Sequence, residues 1–404
     1  MHGINLSFEH NSLSGDPIDS LMSSYGGGYV GVHDFEHPYG QNQYFDLHAI
    51  FPDMTRDTED ARAYNFGPTD RCVERIREYG AKFIFRLGES RDSFDFKPYL
   101  NPTRYIDKIA DICLHIVMHY NAGFADGYKW NITNFEIWSG ADTARGFSGT
   151  VEDYIALYKR CALLIREKFP RVKLGGYTSL GFSGMNRVTD DPELKGASDF
   201  MEKFLYAVSP RGENLPFDFL TWRAAVTSPE ELALHSKYAR SMLKGYGVRA
   251  KSIVSEFMVT PKDREPTAAD YLAAMISAEK SEIDAMLYYA GENNEAKEIA
   301  DIAYTALYEC DSSADISEDY KGEMYGLAAH SDDVCRAVLA TLAFGGAAEI
   351  MTDGEDFSTF SLTELVKGAD GSYAESGIRN APMKSKKVAF AVKPYAVYIV
   401  NFNK

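Results

Sequence analysis

Short apolar runs, rich in β-branched and aromatic residues, alternate with longer amphipathic stretches through most of the chain. Runs of the first kind predict buried strands, and stretches of the second kind predict helices. Candidate strands cover residues 4–8, 29–33, 82–87, 133–138, 172–176, 217–222, 252–256 and 284–289. Helical patterns between them include residues 69–79, 103–119, 151–169, 229–246 and 267–282. Eight strands that alternate with helices predict a (β/α)₈ TIM barrel, and a doubly wound open sheet is the main alternative.

After residue 320 the pattern changes to closely spaced β-like runs. These runs cover residues 324–329, 336–342, 387–392 and 395–402. Their spacing predicts a small antiparallel β-sandwich. We therefore expect a barrel over residues 1–320 and an accessory sandwich over residues 321–404, and we leave open a contribution of the N-terminus to the sandwich.

The composition narrows the range of partners. Of the 404 residues, 45% are hydrophobic, which is enough for a large core. The chain has 42 Lys and Arg against 59 Asp and Glu, which gives a net charge of −17. Such an excess of carboxylates repels nucleic-acid phosphates and anionic lipid headgroups. We expect no nucleic-acid and no membrane partner, and a neutral ligand instead.

The cysteines and the N-terminus bear on the compartment. The five cysteines are scattered and form no CxxC pair, so we expect reduced thiols rather than disulfides or a zinc site. Residues 1–5 show no basic segment followed by a long apolar run, which is the pattern of a secretory signal. The expected localisation is cytoplasmic.

Two short motifs resemble known sites but lack the structural context that those sites need. Residues 26–31 match the dinucleotide pattern GxGxxG, yet a strand rather than a helix follows the glycines. Residues 33–37 match the zinc pattern HxxEH, but Pro38 disfavours the required helix. His115 and His119 have helical spacing, which is more typical of surface or hydrogen-bonded core histidines. We therefore expect no cofactor and no metal.

Carboxylates near the ends of two predicted strands carry the functional argument. Trp138 ends the fourth strand, with Glu136 two residues before it, and Glu256 ends the seventh. With this arrangement the chain resembles retaining glycosidases that place catalytic carboxylates after strands four and seven, and most resembles glycoside hydrolase family 39, the β-xylosidase and α-L-iduronidase family. The similarity covers nearly the whole chain and includes residues 29–33, 85–88, 175–177 and 217–222. The resemblance implies that Glu256 is the nucleophile.

The same resemblance identifies a departure at strand four. The family has Asn-Glu-Pro there, with the Glu as general acid/base, whereas this chain has Ser139-Gly140-Ala141. The family's Arg before the strand-two His is Gly31, and its strand-six His corresponds to Arg223. Retaining hydrolysis needs a second carboxyl group to protonate the leaving oxygen and then activate water, and glycine cannot do this.

Four other carboxyl groups are candidates for the missing role. Asp142 lies two residues after the vacant position and is the first candidate, whereas Glu89 and Asp34 follow other predicted strand ends. Glu136 is the nearest carboxyl in sequence, but it lies inside the strand, where a buried hydrogen-bonded role is the more ordinary interpretation. The predicted catalytic residues are thus Glu256 and Asp142.

Further residues at predicted strand ends are expected to bind the sugar, either by stacking an aromatic face on it or by hydrogen bonding. These predicted substrate-binding residues are His33, Arg86, Trp138, Tyr177, Trp222, Arg223 and Tyr288. The sequence therefore favours a glycosidase acting on a short oligosaccharide or glycoside, with a β-xyloside as the first guess. A catalytically impaired carbohydrate-binding protein, and a metallohydrolase that uses His33 and His37, remain as alternatives.

Overall fold

The structure is a computed structural model of the chain. It describes residues 2–6, 28–32, 45–89, 102–144, 146–182, 196–289, 295–310, 312–314, 323–352, 357–367 and 373–404. By contact density the chain divides into two compact units. The first contains residues 1–225, 235–258 and 282–291, and the second contains residues 226–234, 259–281 and 292–404.

Parallel strands form a closed barrel in the order β1-β2-β3-β4-β5-β6-β7-β8. The strands are β1 (His2–Leu6), β2 (Tyr29–Val32), β3 (Lys82–Leu87), β4 (Asn134–Ile137), β5 (Lys173–Ser179), β6 (Phe219–Val226), β7 (Lys251–Val259) and β8 (Ala285–Tyr289). The helices are α1 (Leu47–Ile50), α2 (Gly67–Glu78), α3 (Pro102–Asn121), α4 (Val151–Lys168), α5 (Ala197–Val208), α6 (Pro229–Tyr246), α7 (Ala268–Glu279) and α8 (Glu295–Thr305). Short 3₁₀ turns cover Ala61–Ala63, Phe124–Asp126 and Ala306–Glu309.

Local sequence explains why these elements form where they do. Strand β3 is buried on both faces after Lys82, which is why it reads as a continuous apolar run. Helix α4 begins at a capping box in which Thr150 and Asp153 satisfy each other's backbone N–H groups. Thr267 and Asp270 form the same device at the start of α7. The expectation of a mixed α/β protein with a barrel of parallel strands is confirmed.

The C-terminal part of the second unit is antiparallel. One sheet has the order β14-β13-β16-β11-β10-β9, and a two-stranded sheet pairs β12 with β15. These strands are β9 (Ser312–Ala314), β10 (Met324–His330), β11 (Val334–Thr341), β12 (Gly346–Met351), β13 (Thr359–Lys367), β14 (Tyr373–Pro382), β15 (Lys387–Val392) and β16 (Ala396–Asn403). One apolar cluster contains side chains from both sheets, among them Leu339, Ile350, Phe360, Phe390 and Val400.

The sequence pattern missed several of these elements. Strands β12, β13 and β14, and helices α1, α5 and α8, were not among the predicted ranges. The predicted domain boundary at residue 320 lies outside the described residues. None of the five cysteines, all of which lie within the described ranges, forms a disulfide.

Candidate active site

The barrel interior is layered. Its apolar floor consists of Ile84, Phe219, Ile253, Ala285 and Leu287. Side chains alternate along a strand, so residues two positions further on face the same side. Arg86, Thr221 and Ser255 therefore form a polar layer above the floor, toward the carboxyl ends of the strands. That end carries the active site in barrels of this kind.

Glu136 lies in the polar layer and is held by hydroxyl groups. It is register-paired with Arg86 on the neighbouring strand. Its Oε1 accepts hydrogen bonds from the hydroxyls of Thr178, at 2.7 Å, and of Thr221. Burial raises the pKa of Glu136 to about 7; the two threonines and Arg86 oppose this rise, and the charge of Glu256 adds to it. The layer therefore contains a carboxyl group that exchanges its proton near neutral pH.

Glu256 occupies the same interior as Glu136. It lies on β7, and its side chain is only 1% exposed. The Nε of Arg223, from β6, lies 3.7 Å from the Oε2 of Glu256, and the Arg223 side chain is 34% exposed. A buried carboxylate thus lies next to a cation that reaches solvent, at the position to which the family resemblance gives the nucleophile.

Residue 140, to which the family resemblance gives the acid/base, has no room for a side chain. Gly140 has φ of +64°, and a Cβ there would lie 2.5 Å from the Cδ1 of Leu180. The Gly140 N–H donates to the carbonyl oxygens of Tyr177, at 2.7 Å, and Thr178, at 3.1 Å. Glycine is favoured here both by the left-handed backbone and by the close approach of Leu180. Leu180 fills the space that a side chain at position 140 would enter.

Asp142 secures this arrangement. Its carboxylate accepts hydrogen bonds from the Ser179 hydroxyl at 2.6 Å and from the backbone N–H groups of Leu180 at 3.0 Å and Gly181 at 3.1 Å. Burial raises the pKa of Asp142 to about 6, although these bonds oppose the rise. Its contacts fix the loop after β5 over Gly140. These contacts give Asp142 a structural role, and its catalytic role stays a prediction.

Glu89 follows the carboxyl end of β3 and forms a pair with a histidine. Its Oε1 lies 2.7 Å from the Nε2 of His48, and the two side chains are 8% and 13% exposed. His48 belongs to α1, whose Leu47 N–H donates to the carbonyl of Gly88 at 2.9 Å. Nothing in the sequence pattern pointed to His48.

Two of the predicted sugar-stacking residues, Trp138 and Trp222, are fully packed. The indole N–H of Trp138 donates to the Gly146 carbonyl at 2.7 Å. That of Trp222 donates to the Ser252 hydroxyl at 3.0 Å, and its ring packs on Phe182. Both tryptophans are at most 1% exposed. These contacts are those of core residues, and the predicted contacts of the two rings with a sugar stay a prediction.

Tyr177 and Tyr288 also face away from the barrel interior. The ring of Tyr177 is buried among Tyr154, Phe200 and Phe204 of the surrounding helices. Tyr288 follows Leu287, which belongs to the apolar floor, so strand alternation turns Tyr288 outward. Its ring packs edge-on against Phe257. The two phenol rings are thus packed in the barrel wall, and their predicted contacts with a sugar stay a prediction.

The remaining predictions fall partly outside the described residues. His33, Asp34 and His37 are the predicted residues that lie outside them. Within the described ranges, no group of three or more His, Cys, Asp or Glu side chains is arranged to hold a metal ion. Likewise, none of the described helices combines the length and apolarity needed to cross a membrane.

The structure is similar to solved glycoside hydrolases. A glucosidase from Croceicoccus marinus matches all of this chain and 95% of its own, with a TM-score of 0.72 and 16% identity. A monomeric β-xylosidase from Caulobacter crescentus CB15 matches 96% of this chain and 92% of its own, with a TM-score of 0.64 and 11% identity. A GH30 endoxylanase from Clostridium papyrosolvens C71 matches 100% of this chain and 96% of its own, with a TM-score of 0.61 and 11% identity.

Sequence comparison adds no closer relative. The chain matches no family model, and no curated protein sequence matches it. At the identities above, the structural likeness establishes a glycoside-hydrolase-like barrel fold. Family 39 in particular stays a prediction.

Proposed function

We propose that this protein is a retaining glycosidase with a (β/α)₈ barrel and an accessory β-sandwich, and that Glu256 is its nucleophile. The observation that carries the proposal is the buried Glu256 carboxylate beside Arg223. A nucleophilic carboxylate has to be held in one place and shielded from water, and a neighbouring cation serves the first need. The likeness to a glucosidase and a β-xylosidase makes a short glycoside, first of all a β-xyloside, the proposed substrate.

The reaction would proceed in two steps. Glu256 attacks the anomeric carbon, the glycosidic C–O bond breaks, and the leaving oxygen takes a proton. Water then attacks the glycosyl ester, which releases the sugar with its original configuration and frees Glu256. Arg223 would hold the Glu256 carboxylate toward the anomeric carbon in the first step.

The experiment is a turnover assay on activated aryl glycosides. 2,4-Dinitrophenyl β-xyloside, β-glucoside and α-L-arabinoside are good tests, because their phenolates leave with little acid assistance. We expect the wild-type protein to hydrolyse at least one of them, with retained configuration by NMR, and Glu256→Gln to be inactive. Equal rates for the two proteins would refute the role of Glu256.

A carbohydrate-binding protein without catalysis is the second candidate. The observation that favours it is Leu180, which occupies the space of the family's acid/base. In that case calorimetry would detect binding of xylose or xylobiose, and no aryl glycoside would be hydrolysed faster than in buffer.

A further inference from the structure

The proton for the leaving group requires a donor near the barrel mouth. Position 140 is closed by Leu180, and the Asp142 carboxylate is held by three hydrogen bonds. Glu136 lies one layer lower, level with Arg86. Glu89 is a further buried carboxylate of the described residues, and it follows the carboxyl end of β3.

The register of β3 and β4 places Glu89 beside Gly140. Arg86 pairs with Glu136 and Leu87 with Ile137. Continuing this register brings Glu89 level with Ser139, one residue short of Gly140. Gly88 already lies so close to β4 that a Cβ on it would be 3.1 Å from the Cα of Trp138. Neighbouring strands are about 4.8 Å apart, so Glu89 is displaced by one strand from the family's acid/base position.

The chain holds Glu89 with a partner suited to proton exchange. The imidazole Nε2 of His48 lies 2.7 Å from the Glu89 Oε1. The Asp46 carboxylate fixes the start of α1 by accepting from the N–H groups of His48, at 2.8 Å, and Ala49, at 3.1 Å. Phe45 anchors the same segment on the outer face of β3 through Phe85, with ring centroids 5.1 Å apart. A buried carboxylate with a fixed imidazole is an arrangement that general acid–base catalysis uses.

We propose that Glu89 is the acid/base of this glycosidase and that His48 is its positioning and proton-sharing partner. This proposal rests on the proposed function. In the first step Glu89 donates a proton to the departing oxygen as Glu256 bonds to the anomeric carbon. In the second step Glu89 accepts a proton from water while the water oxygen displaces Glu256, which restores both groups. The proton moves between Glu89 and His48 without any net change.

The test compares two leaving groups in Glu89→Gln and His48→Gln. For a methyl glycoside or disaccharide, whose departing oxygen needs protonation, we expect Glu89→Gln to lower kcat/KM by about 10²–10⁴-fold. For the dinitrophenyl glycoside, kcat and KM should fall together, because the glycosyl intermediate accumulates while its formation is hardly affected. His48→Gln should show the same selectivity with a smaller loss, which a purely structural role would not produce.

Azide gives an independent readout. In Glu89→Ala, azide should raise kcat for the dinitrophenyl glycoside and yield a glycosyl azide with the configuration of the substrate, because azide needs no base to attack the intermediate. Asp142→Asn is the matched control: it should lower the two activities alike through lost stability, with no azide effect. Circular dichroism checks that each variant is folded, and His48→Gln carries the test if Glu89 variants do not fold.

Each outcome decides a separate claim. Equal losses on both leaving groups in the folded Glu89 variants, or a selective loss in Asp142→Asn, would overturn the assignment of Glu89 and leave the nucleophile intact. Absence of any wild-type turnover would overturn both proposals.

Discussion

The regions around Glu256 in β7 and around Gly140 after β4 belong to the same barrel but are built differently. In β7, three residues before the strand ends at Val259, the carboxylate of Glu256 lies beside Arg223. At the end of β4 the chain has glycine in a left-handed conformation, and Leu180 covers it. Asp142 then fixes Leu180 through its backbone N–H. At the position that the family resemblance gives to the general acid, an apolar side chain therefore fills the space beside Gly140, and a buried carboxylate holds that side chain in place.

The two regions also differ in what a single substitution can do. Under the proposed mechanism, a single substitution at Glu256 removes the nucleophile, whereas a single substitution does not place a usable carboxyl group at position 140. Restoring a carboxyl at position 140 requires a new backbone conformation and movement of Leu180, both of which oppose it.

The largest effect is expected at β7. Glu256→Gln keeps the shape of the side chain but removes the nucleophile, so activity on dinitrophenyl glycosides should fall by at least about 10⁴-fold. Steady-state kinetics measure this loss, and thermal unfolding checks that the barrel is intact. If folded Glu256→Gln kept more than a small fraction of wild-type activity, the nucleophile would have to be another residue.

The β4 side can be tested with two glycines of similar conformation. Gly80 has φ of +69° and no neighbouring atom within 4 Å of the place where a Cβ would lie, whereas a Cβ on Gly140 would meet Leu180. Gly80→Ala should lower the free energy of unfolding by about 1 kcal/mol, through backbone strain alone. Gly140→Ala should lower it by about 2–4 kcal/mol, because overpacking adds to strain. Urea unfolding measures the free energy of unfolding of both variants. Equal losses would show that Leu180 does not exclude a side chain at position 140.

The buried acid of the polar layer makes stability depend on pH. The pKa of Glu136 is raised from 4.5 to about 7, so between these values the folded state binds more protons than the unfolded state. Its contribution to stability therefore falls as pH rises through this window, by up to about 3 kcal/mol. Glu136→Gln should remove that slope, whereas Glu167→Gln, on the exposed face of α4, should not. The measurement is urea unfolding at pH 5 and pH 7.5. An equal change in the free energy of unfolding between these pH values in wild type and in Glu136→Gln would contradict the prediction.

The smallest effect is expected in the barrel wall. Trp222→Phe removes the hydrogen bond to Ser252, and we expect a loss of about 1–2 kcal/mol in the free energy of unfolding. The KM for glycosides should stay unchanged, because the ring packs on Phe182 rather than facing the interior. A raised KM with unchanged stability would return Trp222 to the sugar site.

Much of the barrel could be predicted because its signals are local. Strand β3 matches the predicted range, since a run buried on both faces has few polar interruptions. Helix α6 matches as well, with Pro229 and two glutamates at its start. Strand β14, with the sequence Tyr373–Pro382, was missed because its polar residues and glycine give little β signal.

The site was harder to predict because its partners are distant in sequence. Glu256 was singled out by the family resemblance, and Glu89 was noted because it follows a predicted strand end. The pairing of Glu89 with His48 spans 41 positions, and no local pattern encodes it. Leu180 over Gly140 likewise depends on how two loops meet. The packing of Tyr177 could not be predicted either, because strand alternation, which decides the face of a side chain, shifts at the irregularity between Gly176 and Ser179.

Trapping of the glycosyl intermediate tests the central claim most directly. The protein would be incubated with a 2,4-dinitrophenyl 2-deoxy-2-fluoro-β-xyloside, or the corresponding derivative of the best sugar in the panel, then digested with trypsin. Cleavage after Lys251 and Lys262 releases residues 252–262, in which Glu256 is the one carboxylate side chain. The account predicts one fluoroglycosyl group on this peptide, absent in Glu256→Gln. A label on any other peptide, or turnover of the parent glycoside without a trapped ester, would contradict it.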